Sequence, residues 1–197
     1  MVLTKRLVLA SRSPRRLGLL RQIGMDPEVI PCDVPEDFDP ARTPAENARA
    51  LALMKARAVA RTLPDATVIG ADTIVVIDTV MLGKPSNRAE AIRMLEMLSG
   101  RTHVVYTGIA VIDRPSDRWV AEVEATRVTF RPMSRQEIEE YVDSGSPMDK
   151  AGAYGIQDDY GAVFVSRVEG CFYNVVGLPL SKLYSTLTDF QSRLAPR

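Results

Sequence analysis

The chain has 197 residues, 46% of them hydrophobic and 25% charged, with 25 Lys plus Arg against 25 Asp plus Glu and one histidine. That length suits one integrated domain or two small lobes with a sizeable core, and the composition excludes collagen-like, low-complexity and wholly disordered classes. Zero net charge argues against a generic nucleic-acid-binding surface, whose affinity comes from excess Lys and Arg.

No apolar run approaches the ~18 to 20 residues that cross a bilayer, and the N-terminal apolar stretch is shorter than a signal peptide's. The expectation is a cytoplasmic protein with no membrane and no nucleic-acid partner. Cys32 and Cys171 stand far apart, outside any C-x-x-C pattern, and are read as free thiols. That His103 is the one imidazole argues against a His-rich zinc site or a Ser/His/Asp triad, each of which needs imidazole at a defined position, and leaves acid/base chemistry to carboxylates or lysines.

In chain order, Leu7-Val8-Leu9-Ala10 reads as a short buried strand. A helix follows, N-capped by Ser13 with Pro14 at its first position, and Gly24 stops it. Thr43-Pro44-Ala45-Glu46 is a capping box that opens a helix running to about Arg61. Asn87 caps a third helix that ends at Gly100, and Ser134-Arg135-Gln136-Glu137 caps a fourth that ends at Gly145. Runs rich in branched residues predict strands over 67–77, 104–112, 119–130, 162–168 and 172–176. The turns at 113–118 and at Glu169-Gly170 suit antiparallel neighbours, so the pattern predicts an α/β fold with a mixed sheet and helices packed around it. With no repeat or linker, 1–197 reads as a single domain.

Several residues stand out against this pattern. Ser13-Pro14-Arg15-Arg16 puts two cations in a first helical turn, where the helix dipole disfavours them by ~0.3 to 1 kcal/mol each. A helix start after a strand is an anion site, and Arg suits phosphate; the plainer reading has both arginines in water. Asp72, in Gly70-Ala71-Asp72-Thr73, falls on one strand face with Val68, Ile74 and Val76, so it needs a cation, a metal or a strand-end turn. Lys55 lies between Leu51 and Val59 on the apolar stripe of its helix, opposite Arg49, Arg57 and Arg61, either snorkelling to water or serving phosphate from beside a cleft. Lys84, in Gly83-Lys84-Pro85, could reach a ligand held near Asp72 or simply be solvated. Asp33, Glu36, Asp37 and Asp39 form an acidic loop, from which one carboxylate opposite Asp72 would suffice for Mg2+ beside phosphate. The Gly-rich 149–157 segment has no Walker pattern, and the amide of Gln157 could read the edge of a base.

Taken in order, Leu9-Ala10-Ser11-Arg12-Ser13-Pro14-Arg15-Arg16, Gly70-Ala71-Asp72-Thr73, Gly83-Lys84-Pro85, Leu98-Ser99-Gly100-Arg101-Thr102-His103, the 149–157 segment and Val176-Gly177-Leu178-Pro179 resemble the Maf family of nucleoside triphosphate pyrophosphatases. The resemblance runs from about Leu7 to Leu183. It implies a Maf or ITPase-like fold: a mixed, elongated, twisted sheet flanked by helices, with two lobes around a deep cleft, often as a homodimer. It implies hydrolysis of a nucleoside triphosphate between the α and β phosphates, with Mg2+ or Mn2+ as cofactor. By the same resemblance Asp72 is the general base, Ser11, Arg15 and Arg16 contact phosphate, Glu36 and Asp72 serve the metal, and Lys55 and Lys84 serve the triphosphate.

The stretch Ala151-Gly152-Ala153-Tyr154-Gly155-Ile156-Gln157 is similar to the branch acting on dTTP and UTP, with Arg15, Thr73 and Gln157 as specificity positions. A sister branch acting on 7-methyl-GTP typically has an acid in place of Gln157. Two departures from the family are an acidic Asp158-Asp159 continuation and the Pro35-Glu36 setting, where the family more usually has a run of Glu. The rival from another class is a non-catalytic nucleotide-binding regulator of cell division.

Overall fold

The computed structural model describes residues 5–157 and 160–194, so Asp158 and Asp159 lie outside the described residues. In chain order the elements are β1 (Leu7–Ala10), α1 (Pro14–Gln22), β2 (Glu28–Val29), α2 (Pro44–Ala60), β3 (Ala66–Ile77), β4 (Val80–Leu82), α3 (Arg88–Leu98), β5 (Thr102–Arg114) and β6 (Trp119–Phe130). Then follow α4 (Arg135–Asp143), two 3-10 turns (Ser146–Asp149 and Ala151–Ala153), α5 (Gly161–Phe164), β7 (Val165–Glu169), α6 (Phe172–Val176) and α7 (Leu180–Leu194).

Among the described residues these strands form one mixed sheet in the order β2-β1-β3-β5-β6-β7, with β4 paired to β3. β1 runs parallel to β2 and β3, while β4 on β3 and β7 on β6 are antiparallel. The Asp113 N–H bonds Arg118 O and the Phe130 N–H bonds Arg101 O, each at 2.9 Å, which is the register of an antiparallel β5–β6 hairpin. No helix among the described residues is long and apolar enough to cross a membrane.

The chain divides into two compact units, one of Met1–Asp72, Thr107–Glu124 and Gly177–Arg197, the other of Thr73–Tyr106 and Ala125–Val176. In the first, Val8, Ala10, Val68, Ala110 and Ile112 of the sheet pack on Ala52, Ala56 and Val59 of α2. The approach there is backbone to backbone. A Cβ on Gly70 would stand 2.4 Å from the Ala52 carbonyl, and one on Gly108 would stand 2.1 Å from that of Ala48. Ala48, Ala52 and Ala56, four residues apart, form the stripe that admits such contact. In the second unit, α3 and α4 accompany an edge-on aromatic group in which Phe130 and Tyr154 lie 4.8 Å apart and Tyr141 and Phe164 lie 5.1 Å apart.

The four helices expected from their caps are present. Ser13, Thr43, Asn87 and Ser134 each accept from the backbone N–H three residues on, and the boxes of Thr43 and Ser134 are complete. The last two predicted strands are corrected. Of 162–168, the first part is the helical turn α5 and the strand is Val165–Glu169. The run 172–176 is the helix α6, so Glu169-Gly170 is not a hairpin, and β7 finds its antiparallel partner in β6.

The physical reason for both corrections is side-chain bonding that a short apolar run does not reveal. Asn174, fully buried, donates from Nδ2 to Val105 O and to Thr126 Oγ1 at 2.9 Å each, which fixes the α6 turn. Phe164 ends α5 by packing on Tyr141. The pattern also passed over β2, β4 and α7.

Candidate active site

β1 is buried along its length and delivers the chain to Ser11. The Ser11 hydroxyl oxygen accepts from the Ser13 N–H at 3.1 Å and from Arg16 Nη1 at 3.3 Å, while Arg16 Nε donates to the Gly177 carbonyl at 2.9 Å. The half-buried Arg16 guanidinium therefore folds back over the start of its own helix. Burial pulls its pKa down, opposed by the charges of Asp72 and Glu36. It remains a cation, as arginine does in proteins. Arg15, also half-buried, shares the first turn of α1.

Even-numbered residues of β3 face α2, as the Gly70 contact requires, and Asp72 lies two residues further along that face. It is 5% exposed, and the Nζ of Lys55 on α2 stands 2.5 Å from its Oδ1. The same ammonium reaches Glu36 Oε1 at 2.6 Å. Lys55 does not snorkel: its side chain is 8% exposed and ends between two carboxylates. Of the four acidic loop residues, Glu36 is the one bonded to Lys55, whereas Asp39 bonds back to Asn47 and Arg42 at the head of α2. Desolvation lifts the Asp72 carboxyl above the ordinary carboxylate range, a rise that Lys55 and Arg16 oppose without cancelling. A buried carboxylate with a raised pKa, held by hydrogen bonds beside cations, is equipped to accept a proton. Cys32 lies near this group with its Sγ 3.7 Å from Ala10 O, and burial pushes its thiol up, away from the reactive thiolate.

Ser11, Arg16, Glu36, Lys55 and Asp72 thus form one connected cluster within the first unit. Thr73 follows Asp72 on β3 and opens the second unit. Lys84 and Gln157 extend from two turns of that unit which are tied together, since the Gly152 N–H donates to Gly83 O at 3.0 Å. Lys84 is exposed and Gln157 half-buried.

Sequence reading missed Lys150, whose buried ammonium bonds Ser146 O at 2.5 Å and Asp149 Oδ1 at 2.9 Å and closes the turn ahead of Gly152. It also took His103 only as the one imidazole, an argument against a zinc site or a triad, and as the end of a family motif. The structure buries it, 1% exposed, with Nε2 2.8 Å from the Tyr154 hydroxyl. The one signal for that pair was that each residue belongs to a quoted family motif.

On a mixed α/β sheet, a buried Asp–Lys pair thus stands beside an arginine-bearing helix start, a carboxylate and cations brought together in one place. Residues 6–190 match the family described as Maf-like protein, and the chain belongs to that family. A curated relative from Symbiobacterium thermophilum, named dTTP/UTP pyrophosphatase, is 52% identical over 186 residues, covering 94% of this chain and 94% of that protein. Another of the same name, from Caldicellulosiruptor bescii, is 48% identical over 183 residues, 91% of this chain and 92% of that one. Among solved structures, the Staphylococcus aureus Ham1 protein aligns with 64% of this chain and 72% of its own at 20% identity and a TM-score of 0.47, a likeness that adds nothing to the functional reading.

Proposed function

We propose that this chain is a nucleoside triphosphate pyrophosphatase that hydrolyses dTTP and UTP to the monophosphate and pyrophosphate, acting as one domain in the cytoplasm. The observation that carries the reading is the buried Asp72 carboxylate shared with Lys55, beside Glu36 and Arg16. The names of the two relatives, at about half identity over nearly the whole chain, support the substrate class.

In the reaction, Asp72 takes a proton from a water whose oxygen attacks the α phosphorus. The bond from that phosphorus to the bridging oxygen breaks, and pyrophosphate leaves with the bridging oxygen. Lys55 bonds the base while no substrate is bound. When its ammonium turns to a triphosphate oxygen, Asp72 loses its nearest cation and becomes the stronger base. Ser11, Arg15, Arg16 and Lys84 bind and neutralise the triphosphate, the electrostatic contribution that dominates phosphoryl chemistry. Thr73, Gln157 and Arg15 select the base.

The residues fit a divalent cation such as Mg2+ or Mn2+. Glu36 and Asp72 are hard oxygen donors that converge on one ammonium, and no group of three candidate ligands occurs among the described residues. That is the donor set of a metal completed by phosphate and water rather than of an all-protein cage. Held by Glu36 and Asp72, such an ion would polarise phosphate and lower the pKa of water.

The test is pyrophosphate release from dTTP, UTP, CTP, GTP, 7-methyl-GTP and 5-methyl-UTP, with Mg2+ or Mn2+ and an EDTA control. Metal-dependent release from dTTP and UTP is expected. Release from 7-methyl-GTP alone would transfer the chain to the sister branch, and silence from folded protein would favour a nucleotide-binding regulator.

A further inference from the structure

The 151–157 segment carries Gln157 and takes part of its shape from other elements of the second unit. Gly152 and Ala153 both take left-handed backbone angles, φ 68° and 60°, and for a residue with a Cβ that conformation costs free energy unless its surroundings impose it. Four contacts impose it, all within the second unit. The Gly152 N–H donates to Gly83 O at 3.0 Å, and Gly152 lies so close to Val75 that a Cβ there would come within 2.9 Å of that side chain. The Gly155 N–H donates to the Tyr141 hydroxyl at 3.3 Å. Between them, the Tyr154 hydroxyl meets His103 Nε2 at 2.8 Å.

The His103 contact is the one that packing alone does not explain. Phe130 meets both rings edge-on, with centroids 5.0 Å from His103 and 4.8 Å from Tyr154, so an apolar ring at 103 would fill the space. The imidazole instead leaves Nδ1 buried with no hydrogen-bond partner among the described residues. An orphaned polar atom of this kind is a net cost, and native structures carry few. Burial also pushes the imidazole pKa down to about 4, so the ring is neutral under ordinary conditions and serves as a hydrogen-bonding group rather than a charge. What His103 supplies over a hydrocarbon is one directional bond, and that bond ends on the residue three places before Gln157.

We propose that His103 is a positioning residue for substrate selection: through the Tyr154 hydroxyl it seats the 151–157 segment and so sets how tightly and how selectively the pyrimidine base is held. This rests on the reading of the chain as a dTTP/UTP pyrophosphatase. His103 acts on base binding and not on the α phosphorus, so its loss is felt in KM and in selectivity, with kcat nearly untouched.

The test uses the full chain and two variants. Tyr154→Phe removes only the hydroxyl and keeps the ring contacts, and His103→Gln offers an amide to that hydroxyl without an imidazole. For Tyr154→Phe the KM for dTTP is expected to rise about tenfold with kcat within about twofold, and the preference for dTTP over CTP to narrow by a similar factor. His103→Gln should fall between wild type and Tyr154→Phe, because its amide restores part of the bond. Hydrogen exchange provides a readout independent of activity, with faster exchange expected at the Gly152 and Gly155 amides in Tyr154→Phe.

Unchanged KM, selectivity and exchange in a folded Tyr154→Phe would overturn the proposal, as would a loss confined to kcat. Wild-type protein silent on every triphosphate would overturn the pyrophosphatase reading instead, and the exchange data would still decide whether the pair seats the segment.

Discussion

Lys55 and Asp72 neutralise one another where burial disfavours either charge, and Lys55 has a second carboxylate partner in Glu36. Lys55→Met therefore leaves Asp72 buried without its nearest cation, and a loss of about 3 kcal/mol is expected, read by denaturant unfolding. Asp72→Asn removes a desolvated carboxylate and keeps its shape. Turnover should fall by roughly 10² to 10⁴ while the melting temperature stays within a few degrees, and unchanged turnover in the folded variant would remove Asp72 from the mechanism. Both residues were legible in the sequence because each is a charged group at a position whose periodicity demands an apolar one. Glu36 was not separable from Asp33, Asp37 and Asp39 by any local rule; the fold selects it by the reach of Lys55. His103 was legible only as an exclusion, since nothing in the pattern shows that an imidazole on one strand meets a tyrosine fifty-one residues later.

At the level of elements, helix ends were legible because capping is local chemistry within four residues, and each of the four capped helices stands where its cap places it. α7 has the polar and apolar faces of an amphipathic helix but follows Gly177-Leu178-Pro179, which supplies no Ser, Thr, Asp or Asn cap to announce it. The exchange of strand for helix at 172–176 has the converse origin: the deciding bonds of Asn174 go to Val105 and Thr126, remote in sequence. Glycine separates two further expectations. Gly108→Ala drives a Cβ into the Ala48 carbonyl, so α2 must shift, and a loss of about 3 kcal/mol or more is expected, with a melting temperature lower by about 6 °C or more. Gly18 lies exposed within α1 with nothing within 4 Å of an added Cβ, and Gly18→Ala should raise stability by about 1 kcal/mol through helix propensity. Paired thermal melts check both signs in one experiment.

For the molecule as a whole, the balance of 25 basic and 25 acidic residues is expressed largely as surface pairs such as Arg6–Glu28, Arg88–Asp143 and Arg167–Glu169, which water and salt screen to a small contribution. The larger response to conditions belongs to the buried imidazole. His103 stays neutral in the folded chain down to about pH 4, whereas in the unfolded chain it titrates near its ordinary 6.5. Between those values the unfolded state binds more protons, so its contribution to stability is present above pH 6.5 and is lost as pH falls toward 4, by up to about 3 kcal/mol. Melting temperatures from pH 7 to pH 4 should therefore fall more steeply for wild type than for His103→Gln, and parallel curves would contradict this. The glycine seats of α2 bear on how the protein can be changed by design or by drift. Gly70 and Gly108 place the helix carrying Lys55 by main-chain contact, which leaves almost no room for variation there, while the 151–157 segment is held in part by the replaceable side-chain bonds of Tyr141, Tyr154 and His103. If 151–157 selects the base as proposed, a library meant to redirect the enzyme to another base should vary the contacts of that segment and leave the α2 seats intact, with altered substrate preference expected from the first and unfolded chains from the second.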